Sequence, residues 1–220
     1  MYRHLFWDLG GTLVDTYPAL DRTFADVVRA HGHAIDEREV ARLTRQSTGD
    51  AISQLSARFG IEPAEFARAN EELKNSWETE PAPAMPGARQ LMDDVHTAGG
   101  LNLVVTHRDR ESAFTLLEGL GLEVDDLIST ADGHPRKPDP EMYRILLERH
   151  GLDPDDCVAV GDRPIDAVAA HHAGIKAVML ESPDAPVEDE AEHSVETLDG
   201  LRPLLGLAPP TPVENPHSTP

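Results

Sequence analysis

Apolar residues fall along the chain in two alternating rhythms. Short runs at 5–7, 101–105, 127–128, 157–160 and 177–180 predict strands. Several are continuous rather than alternating, as expected for strands covered on both faces. Between them lie stretches with helical spacing. Ala88, Leu91, Met92, Val95 and Ala98 form one and stop at Gly99-Gly100. Ala113, Leu116, Leu117 and Leu120 form another and stop at Gly121. Asp139-Pro140 reads as a helix start, with the Asp as N-cap and Pro at the first helical position. Residues 165–173 predict a further helix, closed by Gly174. The alternation predicts an α/β fold built on a doubly wound, mainly parallel sheet.

Residues 16–82 break that rhythm. Leu20, Phe24, Val27 and Val28 mark one helix, and Val40 and Leu43 a second. Ile52, Leu55 and Phe59 mark a third, and Phe66, Leu73 and Trp77 a fourth, with no strand among them. The pattern predicts an inserted all-α cap domain directly after the first strand. Residues 15–18 form its exit, and Pro81, Pro83 and Pro86 mark the return. The core domain is then 1–15 and 83–207, and the cap 16–82. Residues 208–220 carry five prolines and few apolar side chains and read as a disordered tail. A two-linker insert beside a catalytic turn is placed to act as a lid.

Composition narrows the partners. The chain has 220 residues, 40% of them apolar, enough for a real core. Its formal net charge is −21, a field that repels a phosphate backbone and argues against nucleic acid. The same field discourages anionic substrates unless a local cation or metal reverses it. Lysine occurs only at Lys74, Lys137 and Lys176. A single cysteine, Cys157, excludes an internal disulfide, fits a reducing compartment and reads as a small buried hydrophobe. With no secretory or membrane-spanning segment read from the sequence, the expectation is a cytoplasmic protein with no membrane partner. The eleven histidines are scattered without ligand spacing, so zinc is not expected.

The chemistry-bearing residues gather at strand ends. Asp8 ends the first run, before the turn Gly10-Gly11-Thr12. Thr106 ends the second, with His107 directly after it. Lys137 sits in the loop Pro135-Arg136-Lys137-Pro138. Asp162 and Asp166 follow the fourth run in Gly161-Asp162-Arg163-Pro164-Ile165-Asp166. The carboxyl ends of parallel strands share one edge of the sheet, where ligands bind. Three carboxylates, a hydroxyl and an ammonium converging there suit phosphoryl transfer. Asp8 serves as nucleophile, and Thr106 and Lys137 hold the transferring group. Gly11, Thr12 and His107 are the expected substrate contacts. Mg²⁺, which prefers hard oxygen ligands, is expected on Asp8, Asp162 and Asp166. The bland readings are a turn-capping Asp8, a helix-capping Asp162/Asp166 pair and a solvated Lys137.

In order and spacing these pieces resemble the haloacid dehalogenase superfamily. Asp8-x-Gly10-Gly11-Thr12-Leu13-x-Asp15, Thr106, Lys137-Pro138 and Gly161-Asp162-x-x-x-Asp166 match its four motifs. The resemblance is to phosphoglycolate-phosphatase-like members with a helical cap. It implies strand order 5-4-1-2-3, a terminal strand and turn near 191–198, and Mg²⁺-dependent phosphate-ester hydrolysis. It also implies that the Gly10 carbonyl joins the metal ligands.

The departure is Gly10, where such phosphatases carry the Asp that protonates the leaving oxygen and activates water. General acid–base catalysis is worth about 10²–10⁴-fold, so slow turnover is expected unless His107 or a cap residue substitutes. The leading expectation is a phosphatase acting on a small phosphorylated metabolite, as a monomer or homodimer. One alternative is a phosphonatase-like C–P hydrolase using Lys74 as a Schiff-base lysine. Another is a phosphate-binding or interaction module without turnover.

Overall fold

The computed structural model describes residues 1–182 and 191–210. Six strands form one sheet: β1 (His4–Trp7), β2 (Asn102–Thr106), β3 (Asp126–Ser129), β4 (Cys157–Gly161), β5 (Lys176–Leu180) and β6 (His193–Val195). Their order is β3-β2-β1-β4-β5-β6, and every pairing is parallel. From its other edge, the sheet follows the 5-4-1-2-3 order expected of the family, with β6 added outside β5. A 3₁₀ turn over Leu198–Leu201 follows β6, as the terminal strand and turn required.

Alternating side chains of each strand feed different layers. Leu5 and Trp7 join a core with α5 (Ala88–Thr97) and α6 (Arg110–Leu120). Phe6 faces the opposite layer, against α7 (Glu141–His150) and α8 (Pro164–His172). With helices on both faces, β1, β2 and β4 are buried along their length. Cys157 is a buried free thiol inside this layer, pushed up to about 12 by burial and by Asp156 and Asp153. One helix start shifts by a residue. Pro140 is the N-cap of α7, and Asp139 still caps, its Oδ1 accepting the Glu141 N–H at 2.9 Å.

Four helices occupy the insert: α1 (Tyr17–Ala30), α2 (Glu37–Thr44), α3 (Thr48–Phe59) and α4 (Pro63–Ser76). They bury a separate cluster including Leu20, Phe24, Val28, Val40, Leu55 and Phe66. The two linkers lie side by side. Val14 bridges Ala84, the Asp15 N–H donates to the Pro83 carbonyl at 2.8 Å, and the Met85 N–H donates to Leu13 at 2.8 Å. Of the tail expected from 208 onward, only residues 208–210 are among the described residues. The Ala208 carbonyl accepts from Arg202 at 2.9 Å, and residues 211–220 lie outside the described residues. No described helix is long and apolar enough to cross a membrane.

Candidate active site

Asp8 sits one residue past β1 and extends its pairing, its N–H donating to the Val160 carbonyl at 2.9 Å. The chain then reverses, with the Leu13 and Val14 N–H groups both donating to the Leu9 carbonyl. Gly11 has φ +93°, and a Cβ there would lie 2.5 Å from the Tyr17 ring and 2.7 Å from Asp162 Oδ2. Glycine is therefore required at 11 by both backbone and space. Gly10 is different. A Cβ at 10 would meet Thr16 Oγ1 at 3.3 Å, with no positive φ to forbid it.

Lys137 reaches in from the loop before α7 and is buried. Its Nζ lies 2.5 Å from Asp8 Oδ1 and 2.5 Å from Asp166 Oδ1, and donates to the Val105 carbonyl at 3.0 Å. The Asp166 contact is an ion pair without hydrogen-bond alignment. Burial alone would lower the Lys137 pKa, but Asp166 and Asp8 outweigh it and hold the ammonium well above its ordinary range. Asp162 directly follows β4 and is buried, and its carboxyl is pushed up by burial and then by Asp8 and Asp166. Asp166 also caps α8, accepting the Arg163 N–H at 3.2 Å, so the capping role and the cluster role coexist.

Asp8, Asp162 and Asp166 each offer an oxygen within 4.8 Å of the others, all buried. Three hard oxygen donors with only partial cationic compensation fit a divalent cation, which would relieve the repulsion felt by Asp162. Gly161 belongs to the same cradle, because a Cβ there would run into Asp166.

Above this floor opens a cavity of about 330 Å³, lined by Asp8, Gly10 and Thr106 from the core and by Asn70, Lys74 and Trp77 from the cap. Thr106 Oγ1 accepts the Arg108 N–H at 3.1 Å. Arg108 lies over the Trp77 ring, 5.3 Å from its centroid, and its Nη2 donates to the Lys74 carbonyl at 3.2 Å. Arg136 and Arg163 complete a largely cationic wall, and Asp8 is the one carboxylate among the described lining residues. Buried Trp77 packs on the core and also lines the cavity.

The three expected substrate contacts each hold a partner within the chain. The Gly11 N–H donates to the Val14 carbonyl at 2.8 Å, so it is not a free donor to a ligand. Thr12 is fully buried, and its hydroxyl donates to Asp162 Oδ1 at 3.2 Å. His107 lines the cavity, but its Nε2 accepts the Lys137 N–H at 2.8 Å, and Arg136 Nη2 stands 3.0 Å from Nδ1. Burial, with Lys137, Arg136 and Arg163 around it, lowers His107 to about 3. With its Nε2 accepting from the Lys137 N–H, it clamps the Lys137 loop as a neutral imidazole. Lys74 faces the cavity while pairing with Glu71 at 2.8 Å.

Sequence reasoning missed Tyr17, Arg108, Arg136 and Arg163. Arg163 lies inside the fourth motif, and Tyr17 directly follows the exit linker. Their positions were the available signal; the direction of their side chains was not.

A parallel sheet carrying a carboxylate trio and a buried lysine at its rim, under an inserted helical bundle, defines the capped α/β hydrolases. The chain belongs to the haloacid dehalogenase-like hydrolase family, whose family model matches residues 2–174. It is 30% identical over 205 residues to hexitol phosphatase A of Escherichia coli K12, covering 87% of this chain and 91% of that enzyme. It is 32% identical over 198 residues to the phosphoglycolate phosphatase of Rhodospirillum rubrum, covering 82% and 80%. A hydrolase of the same family from Deinococcus radiodurans R1, solved with bound phosphate and sodium, shares the fold. Its TM-score is 0.78 at 22% identity, covering 93% of this chain and 95% of that one. The assignment as an enzyme, a phosphoric monoester hydrolase of this family, stands.

Proposed function

We propose that the chain cleaves a small phosphorylated metabolite through an aspartyl-phosphate on Asp8, with Mg²⁺ held by Asp8, Asp162, Asp166 and the Gly10 carbonyl. The observation that carries this reading is the buried Lys137 ammonium, 2.5 Å from both Asp166 and Asp8, the latter lining the cavity. A free Asp8 oxygen forms the bond to phosphorus, and the P–O bond to the leaving group breaks with its electron pair. Lys137 steadies Asp8 and offsets charge on the transferring group, while the Thr106 hydroxyl donates to one of its oxygens. The cation, when bound, neutralises phosphoryl charge and orients the group for in-line attack. Water then attacks phosphorus, the P–O bond to Asp8 breaks to restore the carboxylate, and the water's proton leaves on the released phosphate.

The proton is the weak point. Among the described lining residues no carboxylate besides Asp8 is available to protonate a leaving alkoxide, and His107 is held neutral. The reading therefore favours leaving groups that need no proton: acyl phosphates, aryl phosphates and anhydrides. The cationic wall of Lys74, Arg108 and Arg136 favours a substrate with a second acidic group. A panel graded by leaving-group pKa tests this. Wild type should show a steep dependence, and Gly10→Asp should raise alkyl-phosphate turnover by about 10²-fold or more. An unchanged alkyl rate in folded Gly10→Asp would overturn the account.

The phosphonatase reading is weaker. Lys74 is ion-paired and 38% exposed, without the apolar burial that activates a lysine nucleophile. Borohydride trapping with phosphonoacetaldehyde should leave Lys74 unlabelled. Turnover of any panel member rules out a purely binding role.

A further inference from the structure

Asp162 is also gripped from the cap. Tyr17, the first residue of α1, is 8% exposed, and its hydroxyl donates to Asp162 Oδ2 at 2.5 Å. The Arg45 guanidinium, just past the end of α2, lies 3.8 Å from the centroid of the Tyr17 ring. Arg45 is itself locked in place. Its Nη2 meets Asp21 Oδ2 at 3.0 Å, its Nη1 meets Asp21 Oδ1 at 3.2 Å, and its Nε donates at 3.0 Å to Ser182 Oγ, beyond β5. Contacts thus run from the core segment after β5, through the end of a cap helix and an aromatic ring, to a carboxylate of the cation cluster. The glycine at 11 fits this arrangement, since any side chain there would displace both ring and carboxylate.

Thr12 supplies the contrast. It also donates to Asp162, on Oδ1 at 3.2 Å, but from the core turn rather than the cap. Its grip is independent of where the cap sits, whereas Tyr17 moves with α1.

We infer that Tyr17 is a positioning residue that couples the cap to the cation site, holding Asp162 in its binding orientation while the cap is seated. The inference rests on reading Asp8, Asp162 and Asp166 as that site. Groups behind a metal ligand typically change affinity by about 10–100-fold, so the coupling is measurable. Linkage makes it reciprocal: a cation bound more tightly to the seated form must itself favour seating.

The test is calorimetric titration of the full chain with Mn²⁺, paired with hydrogen exchange of α2 with and without the ion. Wild type should bind, and the ion should slow exchange over α2. Tyr17→Phe keeps the ring under Arg45 and removes only the donor. It should bind Mn²⁺ about 10-fold more weakly and lose the slowing. Thr12→Val should weaken binding but, at saturating ion, keep the slowing; Arg45→Ala should lose it. Wild-type affinity in Tyr17→Phe, or α2 exchange in wild type that ignores the ion, overturns the coupling. Asp162→Asn binding as tightly as wild type overturns the cation-site reading itself, a separate failure.

Discussion

Gly10 shows how much one missing side chain changes a site. Its backbone accepts an L-residue, and the nearest obstacle to a Cβ is the Thr16 hydroxyl at 3.3 Å. A modest rotation of Thr16 removes that obstacle, so Gly10→Asp is a fair test of chemistry rather than of folding. Lys137 is the opposite case. Its ammonium sits at 2.5 Å from two buried carboxylates. Lys137→Met leaves that pair of charges uncompensated and should destabilise the cation-free protein by about 3–5 kcal/mol in urea unfolding. A divalent cation should restore part of the loss if the cluster binds one. Sequence alone identified Asp8, Thr106, Lys137, Asp162 and Asp166 because strand ends and motif spacing bring them to one edge. Sequence could not show that the Gly11 N–H and Thr12 hydroxyl are consumed internally, since hydrogen bonding within a turn depends on its closed geometry.

At the scale of elements, the loop between β2 and α6 and the loop bearing Lys137 are joined by one imidazole. His107 Nε2 accepts the Lys137 N–H and thereby fixes the lysine's approach. Its pKa, about 3, lies below the ordinary histidine value. The folded state keeps the ring neutral while the unfolded chain protonates it near pH 6.5. The stability this clamp supplies is complete above that pH and is lost as pH falls from there toward 3. His107→Asn should be less stable than wild type at pH 8, and the gap in Tm should narrow steadily between pH 6.5 and pH 4. A constant gap would remove the clamp. The elements themselves were legible: five of six strands and all four insert helices follow from apolar spacing. The short β6 was not, because its side chains are exposed or only half-buried and carry no apolar period; only the family resemblance pointed to it.

For the whole molecule, charge is distributed against its own average. A chain of net charge −21 places one of its three lysines and three arginines around one cavity, with a second lysine, Lys137, buried against the lining residue Asp8. Cap and core each supply part of that wall, Lys74 from α4 and Arg108 and Arg136 from the core loops. Lys74→Ala should raise KM about 10-fold for substrates with a second acidic group and leave kcat and singly charged substrates nearly unchanged, as steady-state kinetics on matched pairs would show. The division of the chain into core and insert was readable from the change of period at residue 16. The shape of the space between them was not, since it depends on how α4 and Trp77 settle on the sheet. The paired linkers set the mechanics of that space. With Val14 and Ala84 bridged, and backbone bonds of 2.8 Å on either side, the insert hangs from one doorpost rather than two. Any swing of the insert would turn on an axis through that bridge, so spectroscopic labels near Gly60 should travel far while labels beside Val14 stay still.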